Sequence, residues 1–275
     1  MKVIHIGNMA GDSYNNVKFL RSKGIEADLV IDPRSHVTEH PQWNEGDFEG
    51  EVDEWAPKWE KIQVGGYETP AWLKYAPLGV SLRPPQLFLN LRRHNLLVRD
   101  YDIVLAAVLE PMNCLLSGIK PYISYSKGSD LRDVPFMHSA RARFMALAHR
   151  RASKVFITNP DTFDSANRLK LNNTCYMPFI IDETRYMPVK TSLRQDLKQD
   201  REFDFLIFAP SRHSWHDKGN DKLLRAFANF ISTERTRSQL ILLEWGLDLN
   251  RSKQLINQLH IHDKVTWLPM MNKHK

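Results

Sequence analysis

The stretch "KVIHIGNMAGDSYNNVKFLRSKGIEADLVID", Lys2 to Asp32, decides the fold. "KVIHIG" is a continuous apolar run, the pattern of a buried strand. "NMAGDSYN" reads as a loop and "NVKFLRSKG" as a helix ended by Gly24. "EADLVID" is a second strand. A strand, loop, helix and strand in this order begin a parallel, Rossmann-like sheet with helical cover.

Working outward, the chain repeats the unit. A helix near Leu87 to Val98 precedes strands at "DIVLAAV", "PYISYS" and "KVFITN". Between the last two lies a basic helix, "MHSARARFMALAHRRA". Ala140, Phe144, Leu147 and Ala148 share its apolar side, with Arg141, Arg143, Arg150 and Arg151 largely off it. That pattern suits a helix packed on the sheet with a solvated charged face, or one lying on a membrane surface. Asn159-Pro160 reads as N-cap and first turn of the next helix. The polar stretch "VKTSLRQDLKQDRE" marks a boundary, so the division is 1–187, a linker at 188–202, and 203–275. The last segment reads as strand "FDFLIFA", a basic loop, helix Asn220 to Thr233, strand "QLILLEW", helix Arg251 to Leu259 and strand "KVTWLP". The fold class is therefore α/β, two Rossmann-like domains with parallel sheets, the second holding one βαβαβ half.

Residues 33–85 lose periodicity and read as an irregular insert. They carry an acidic run and six aromatics: Trp43, Trp55, Trp59, Tyr67, Trp72 and Tyr75. Such rings suit stacking on a sugar or contact with lipid headgroups. The plainer reading is that they pin the insert to the body.

Of 275 residues, 42% are hydrophobic and 25% charged, the balance of a soluble globular protein rather than a disordered one. A net charge of +6 favours acidic partners: nucleotide phosphates, nucleic acid or an anionic membrane face. Cys114 and Cys175 form no CxxC and no disulfide framework, which points to a reducing cytoplasm. "MKVIHIG" enters a strand at once, leaving no room for a signal peptide. No apolar run reaches the roughly 18 residues of a membrane span, so any membrane contact is peripheral.

Neither first strand is followed by GxGxxG, and there is no Walker GxxxxGK[ST]. Asp32 ends the second strand where a dinucleotide-binding acid sits in other folds of this class. No DxD or HExxH offers a metal site; His213, His216 and Asp217 are a weak zinc candidate, and His260 and His262 read as surface residues. The loop "RHSWHDKGND", Arg212 to Asp221, leaves the end of a strand, where α/β proteins hold ligands. Arg212 is a forked donor suited to phosphate, and Lys218 a flexible point charge on the approach to a helix N-terminus. The bland alternative is a solubilising basic loop.

Arg212-(five residues)-Lys218-Gly219, followed by Leu223-Leu224-x-Ala226-Phe227, resembles the donor-site loop of GT-B glycosyltransferases of the GT4 type. "PYISYSKGSDLRD" resembles that family's acceptor-domain strand and loop. "ASKVFITNPDTFDSANRL" with "PFIIDETRYMP" is similar to its end-of-domain segment, with signposts at Pro178, Asp182 and Pro188. "LILLEWGLD" and "LHIHDKVTWLPMM" resemble the strands bordering the nucleotide. The resemblance implies two facing domains, a nucleotide-sugar donor in the second, a carbohydrate or lipid-linked acceptor in the first, and a retaining transfer with neither bound metal nor further cofactor. It has no place for nucleic acid. It assigns Arg212 and Lys218 to the donor diphosphate, Gly246 to close backbone approach of the nucleotide, and Leu268, Pro269 and Met270 to the border of the base. Gly11 lines the acceptor side of the cleft, and Lys127 and Asp130 are its catalytic candidates. Two departures stand out. Lys127 replaces a histidine often found before "GSD", and the acidic motif of two glutamates would fall after residue 275.

Two other functions compete. A truncated, non-catalytic remnant would bind carbohydrate or a membrane surface, alone, with a missing C-terminal polypeptide or by self-association. A nicotinamide-dependent oxidoreductase rests on Asp32 and fold alone. One expectation needs no family. Two right-handed crossovers moving the same way put helices 220–233 and 251–259 on one sheet face. The opposite face of "FLIFA", "LILLEW" and "VTWLP" would then lie open, as would the edge beyond Val265 to Leu268.

Overall fold

The computed structural model describes residues 1–48, 52–79, 81–181, 183, 187, 204–234 and 237–270. The chain divides into two compact units, Met1–Tyr186 and Met187–Lys275. The linker expected at 188–202, together with Asp182 and Pro188, lies outside the described residues.

In the first unit the chain runs β1 (Lys2–Ile6), α1 (Asp12–Ser22), β2 (Glu26–Ile31), α2 (Pro41–Glu45), β3 (Asp47–Phe48), β4 (Val64–Gly65) and β5 (Leu73–Tyr75). It continues through α3 (Gln86–Val98), β6 (Ile103–Ala107), α4 (Glu110–Leu116), β7 (Tyr122–Ser126) and α5 (Ser129–Arg132). Then come α6 (Ala140–Arg151), β8 (Lys154–Ile157), α7 (Phe163–Arg168) and β9 (Thr174–Tyr176). Seven strands form one sheet in the order β5-β2-β1-β6-β7-β8-β9, every pairing parallel. The apolar runs become its centre because a parallel strand must be covered on both faces. Val3, Leu29, Ile31 and Leu105 pack with Tyr14 and Val17 of α1, while Ile4, Ile6, Val104 and Tyr122 join the core that includes Val98, Cys114 and Ala146.

Order along the sheet matters for function. From β1 the chain moves to β2 and β5 on one side, then starts again at β6 and continues to β9 on the other. The carboxyl ends of β1 and β6 therefore form a topological switch point, where open α/β sheets leave a crevice for ligands.

Several expectations are corrected here. Helix α1 starts at Asp12, a turn earlier than read, because Gly11 takes a left-handed φ of 80° and turns the chain abruptly. The insert is not irregular throughout: β5 adds to the sheet beside β2, and β3 pairs antiparallel with β4. Its rings mostly pin it down. Trp72 meets Tyr14, Phe48 lies against both Trp43 and Trp59, and His40 stacks on Tyr75, whereas Trp55 is exposed. The buried face of α6 is Ala142, Met145, Ala146, Ala148 and His149, with Ala140 and Leu147 outward, so the apolar stripe lies to one side of the one read. The four arginines are exposed as expected. Asn159 and Pro160 do stand at the N-cap and first position of a helical turn, as read, but the Asn159 side chain makes no capping bond and its amide donates to the Lys127 carbonyl at 3.0 Å instead.

In the second unit, β10 (Phe205–Ala209), α8 (Trp215–Lys218), α9 (Asn220–Thr233), β11 (Ser238–Leu243), α10 (Leu249–Gln258) and β12 (Val265–Leu268) form a parallel three-stranded sheet, β10-β11-β12. Leu224 and Phe227 of α9 and Leu255 and Ile256 of α10 share one core with Leu240, Leu242 and Val265, so both helices lie on one face. On the other face the exposure is confined to the flanks. Phe208 of β10 is 54% exposed, while Ile241 and Leu243 of the central strand are buried.

Candidate functional site

Each unit carries a polar cluster at the carboxyl ends of its strands. In the first, the chain leaves β7 as Lys127-Gly128 and leaves β1 through Gly7 and Asn8 into α1. Lys127 and Asp12 form an ion pair with each side chain only 3% exposed. The Lys127 ammonium also stands 3.2 Å from the centre of the Tyr125 ring, with Phe179 at 5.4 Å. Burial drives the Lys127 pKa down to about 8, and the Asp12 carboxylate is what opposes a further fall. His5, fully buried on β1, is pushed down to about 3 by burial and then by the Lys127 charge. It is a neutral imidazole below a cation.

Asp130 has a different part. One carboxylate oxygen accepts from the backbone N–H groups of Lys127 and Gly128, both at 2.8 Å, and from the Ser126 hydroxyl at 3.3 Å. The carbonyl of Asp130 meets His149 Nε2 at 3.1 Å, and His149 Nδ1 meets Ser124 Oγ at 2.9 Å. This network shapes the turn that presents Lys127, and burial raises the Asp130 pKa. Gly11 does not present an open surface: it is buried, and an added Cβ would stand 2.8 Å from Asn44 Nδ2 of α2. Asp32 is likewise committed. It accepts from Arg34 and from the Leu78 N–H, tying the insert to the end of β2 rather than waiting for a ribose.

Residues that sequence reading missed complete this cluster. Asn8 accepts from the Tyr14 N–H and donates to the Glu39 carbonyl, stapling the β1–α1 loop to the insert. Burial raises the Glu39 pKa to about 7, the nearby Asp32 adding to it. Nothing in the local pattern marks Asp12 as the partner of a residue 115 positions away. An acid in the first turn of a helix is ordinary.

In the second unit the loops after β10 and β11 are knitted together. The His213 N–H donates to the Trp245 carbonyl, and the Asp248 N–H to the His213 carbonyl, both at 2.9 Å. The Trp215 N–H donates to Asp248 Oδ2 at 2.8 Å. Gly246, at φ 110°, is required by this crossing: a Cβ there would lie 2.4 Å from the His213 nitrogen. The close approach is thus to the chain's own backbone. Arg212 pairs with Asp217 at 3.2 Å. Lys218 is exposed, without an ion pair among the described residues, one residue before Gly219 turns the chain into the N-terminus of α9. Leu268 ends β12, its carbonyl accepting from the Glu244 N–H; Pro269 and Met270 follow. Arg212, Lys218, Gly246 and Leu268 to Met270 therefore share the carboxyl edge of one sheet. The two histidines of the loop do not converge: His213 is buried against Ser252 at 2.8 Å, and His216 faces solvent beside Asp217. Among the described residues no three His, Cys, Asp or Glu side chains group to hold a metal.

No family model matches the chain, and no curated protein is similar to it in sequence. Solved structures are similar to it in fold. Anabaena Alr3699/HepE in complex with UDP and glucose superposes with a TM-score of 0.65 at 14% identity, over 98% of this chain and 69% of that one. Sucrose-phosphate synthase from Thermosynechococcus elongatus gives 0.66 at 14%, over 99% and 71%. UDP-N-acetylglucosamine 2-epimerase from Rickettsia bellii gives 0.56 at 13%, over 100% and 70%. With two parallel α/β units and these likenesses, the chain has the GT-B fold.

Proposed function

We propose that the chain belongs to a glycosyltransferase of the GT4 type that moves a sugar from a nucleotide-sugar donor to a hydroxyl-bearing acceptor, with retention and without a resident metal. The observation that carries this reading is the gathering of Arg212, Lys218 and the N-terminus of α9 at the carboxyl edge of β10–β12. A diphosphate there gains charge-assisted hydrogen bonds and the positive end of a 14-residue helix. The likeness to a structure holding UDP and glucose supports the ligand class. The acceptor falls to the first unit, where Lys127 and Asp12 stand at the strand ends.

In this reading Arg212 and Lys218 neutralise the charge that grows on the diphosphate as the sugar leaves. Asp217 fixes the guanidinium, and Gly246 lets the two loops cross close enough to shape the base site. Asp130 positions the turn that carries Lys127. The fold also serves an epimerase, so donor binding and transfer need separate tests. Calorimetric titration with UDP, UDP-, GDP- and ADP-sugars reads the first, and release of nucleoside diphosphate with sugar acceptors the second. Binding of at least one nucleotide-sugar, lost in Lys218→Ala and Arg212→Ala, is expected. Wild-type affinity in both variants would remove these residues from the donor site.

A further inference from the structure

Helix α3 departs from the usual pattern of a surface helix. Asn90, His94 and Val98 bury one side of it against the first unit. The opposite side carries Phe88, Leu89 and Leu96, which are 67%, 55% and 56% exposed. Two of the three buried side chains are polar while large apolar ones face outward, the reverse of an ordinary surface helix. The three large outward side chains fall within one arc: at 100° per residue, Phe88, Leu89, Arg92 and Leu96 lie within about a third of a turn.

Charge identifies what covers that arc. Arg92, Arg93 and Arg99 are exposed around it, and Arg83 is exposed just before the helix. There is no acidic residue between Gln86 and Arg99. Arg92 and Arg93 make no ion pair among the described residues, and Arg99 meets only Asp100, at 3.5 Å. A second copy docked about a two-fold axis would set arginine against arginine over the same patch, which costs rather than stabilises. An anionic bilayer fits: phenylalanine and leucine enter the acyl boundary while arginines remain among the headgroup phosphates.

We propose that the outward face of α3 docks the chain on an anionic membrane surface. The inference is independent of the glycosyltransferase reading. It also differs from a membrane role for α6, whose outward face has four arginines but of its large apolar residues only Leu147, 37% exposed. No helix of the described residues is long and apolar enough to cross a bilayer, so the contact is peripheral.

Co-sedimentation of the 275-residue chain with vesicles tests it. Binding is expected to vesicles of phosphatidylcholine mixed with phosphatidylglycerol, weak or no binding to pure phosphatidylcholine, and loss with added salt. Phe88→Ser with Leu96→Ser should weaken binding by about tenfold or more. Arg92→Gln with Arg93→Gln should weaken it by about fivefold per arginine. Arg143→Gln with Arg151→Gln on α6 should change it by less. All three pairs are exposed, and circular dichroism should show an unchanged unfolding midpoint. Binding that survives both α3 pairs overturns the proposal. So does failure to bind anionic vesicles, or a wild-type dimer in sedimentation that Phe88→Ser with Leu96→Ser converts to monomer.

Discussion

At the carboxyl ends of the first unit's strands a buried lysine is held between a carboxylate and an aromatic face. Lys127 is protonated at neutral pH, but its pKa near 8 places its charge within reach of mild alkali. If that charge serves the transfer, turnover falls above about pH 8 in the wild type, whereas Lys127→Arg moves the fall to higher pH. An unchanged alkaline limb in Lys127→Arg would remove Lys127 from the reaction. Glu39 works in the opposite direction. Its folded pKa of about 7 lies above the ordinary 4.5, so the folded chain binds the extra proton between those values. Its contribution to stability is present below about pH 4.5 and is lost as pH rises through 7. Glu39→Gln should therefore raise unfolding stability at pH 8 by about 1–3 kcal/mol, with little effect at pH 4. Chemical denaturation at the two pH values checks this. Asp12 and Glu39 were invisible in sequence because burial and distant partners, not neighbours in the chain, make them unusual.

Among the strands of the second unit, β10 is the exposed one. Phe205 and Phe208 point to opposite faces of its edge and are both more than half exposed. An apolar edge strand is a template for pairing with another chain. Phe208→Ser should raise the concentration at which light scattering first reports association, and the corresponding change at buried Ile241 should instead destabilise the unit. Equal solubility in wild type and Phe208→Ser would show that this edge is not where chains associate. At this scale α9 matches its reading residue for residue, since Gly219 and a strong apolar stripe mark it locally. Strands β5 and β9 went unread: three residues each, they exist because the sheet offers a parallel edge.

The whole molecule has two compact units with separate hydrophobic cores. Calorimetry is expected to resolve two transitions. Leu240→Ala, in the core of the second unit, should cost about 2–5 kcal/mol there and lower one transition while leaving the other. A single transition that shifts as a whole would show the units to unfold together. The sequence by itself determined the order of the principal strands, though not β5, β9 or helix α4, together with the parallel sheets and the one-sided placement of α9 and α10. Apolar period, glycine stops and crossover handedness are local or nearly so. It also brought out the loop with Arg212 and Lys218, because strand ends can be counted along the chain. Only tertiary structure decided which groups are buried, and burial sets the chemistry. It turned Asp32 to the insert, closed Gly11 under Asn44, gave Gly246 its reason in the His213 backbone, and paired Lys127 with Asp12. Desolvation and long-range pairing depend on what surrounds a group in space, and no period along the chain encodes that.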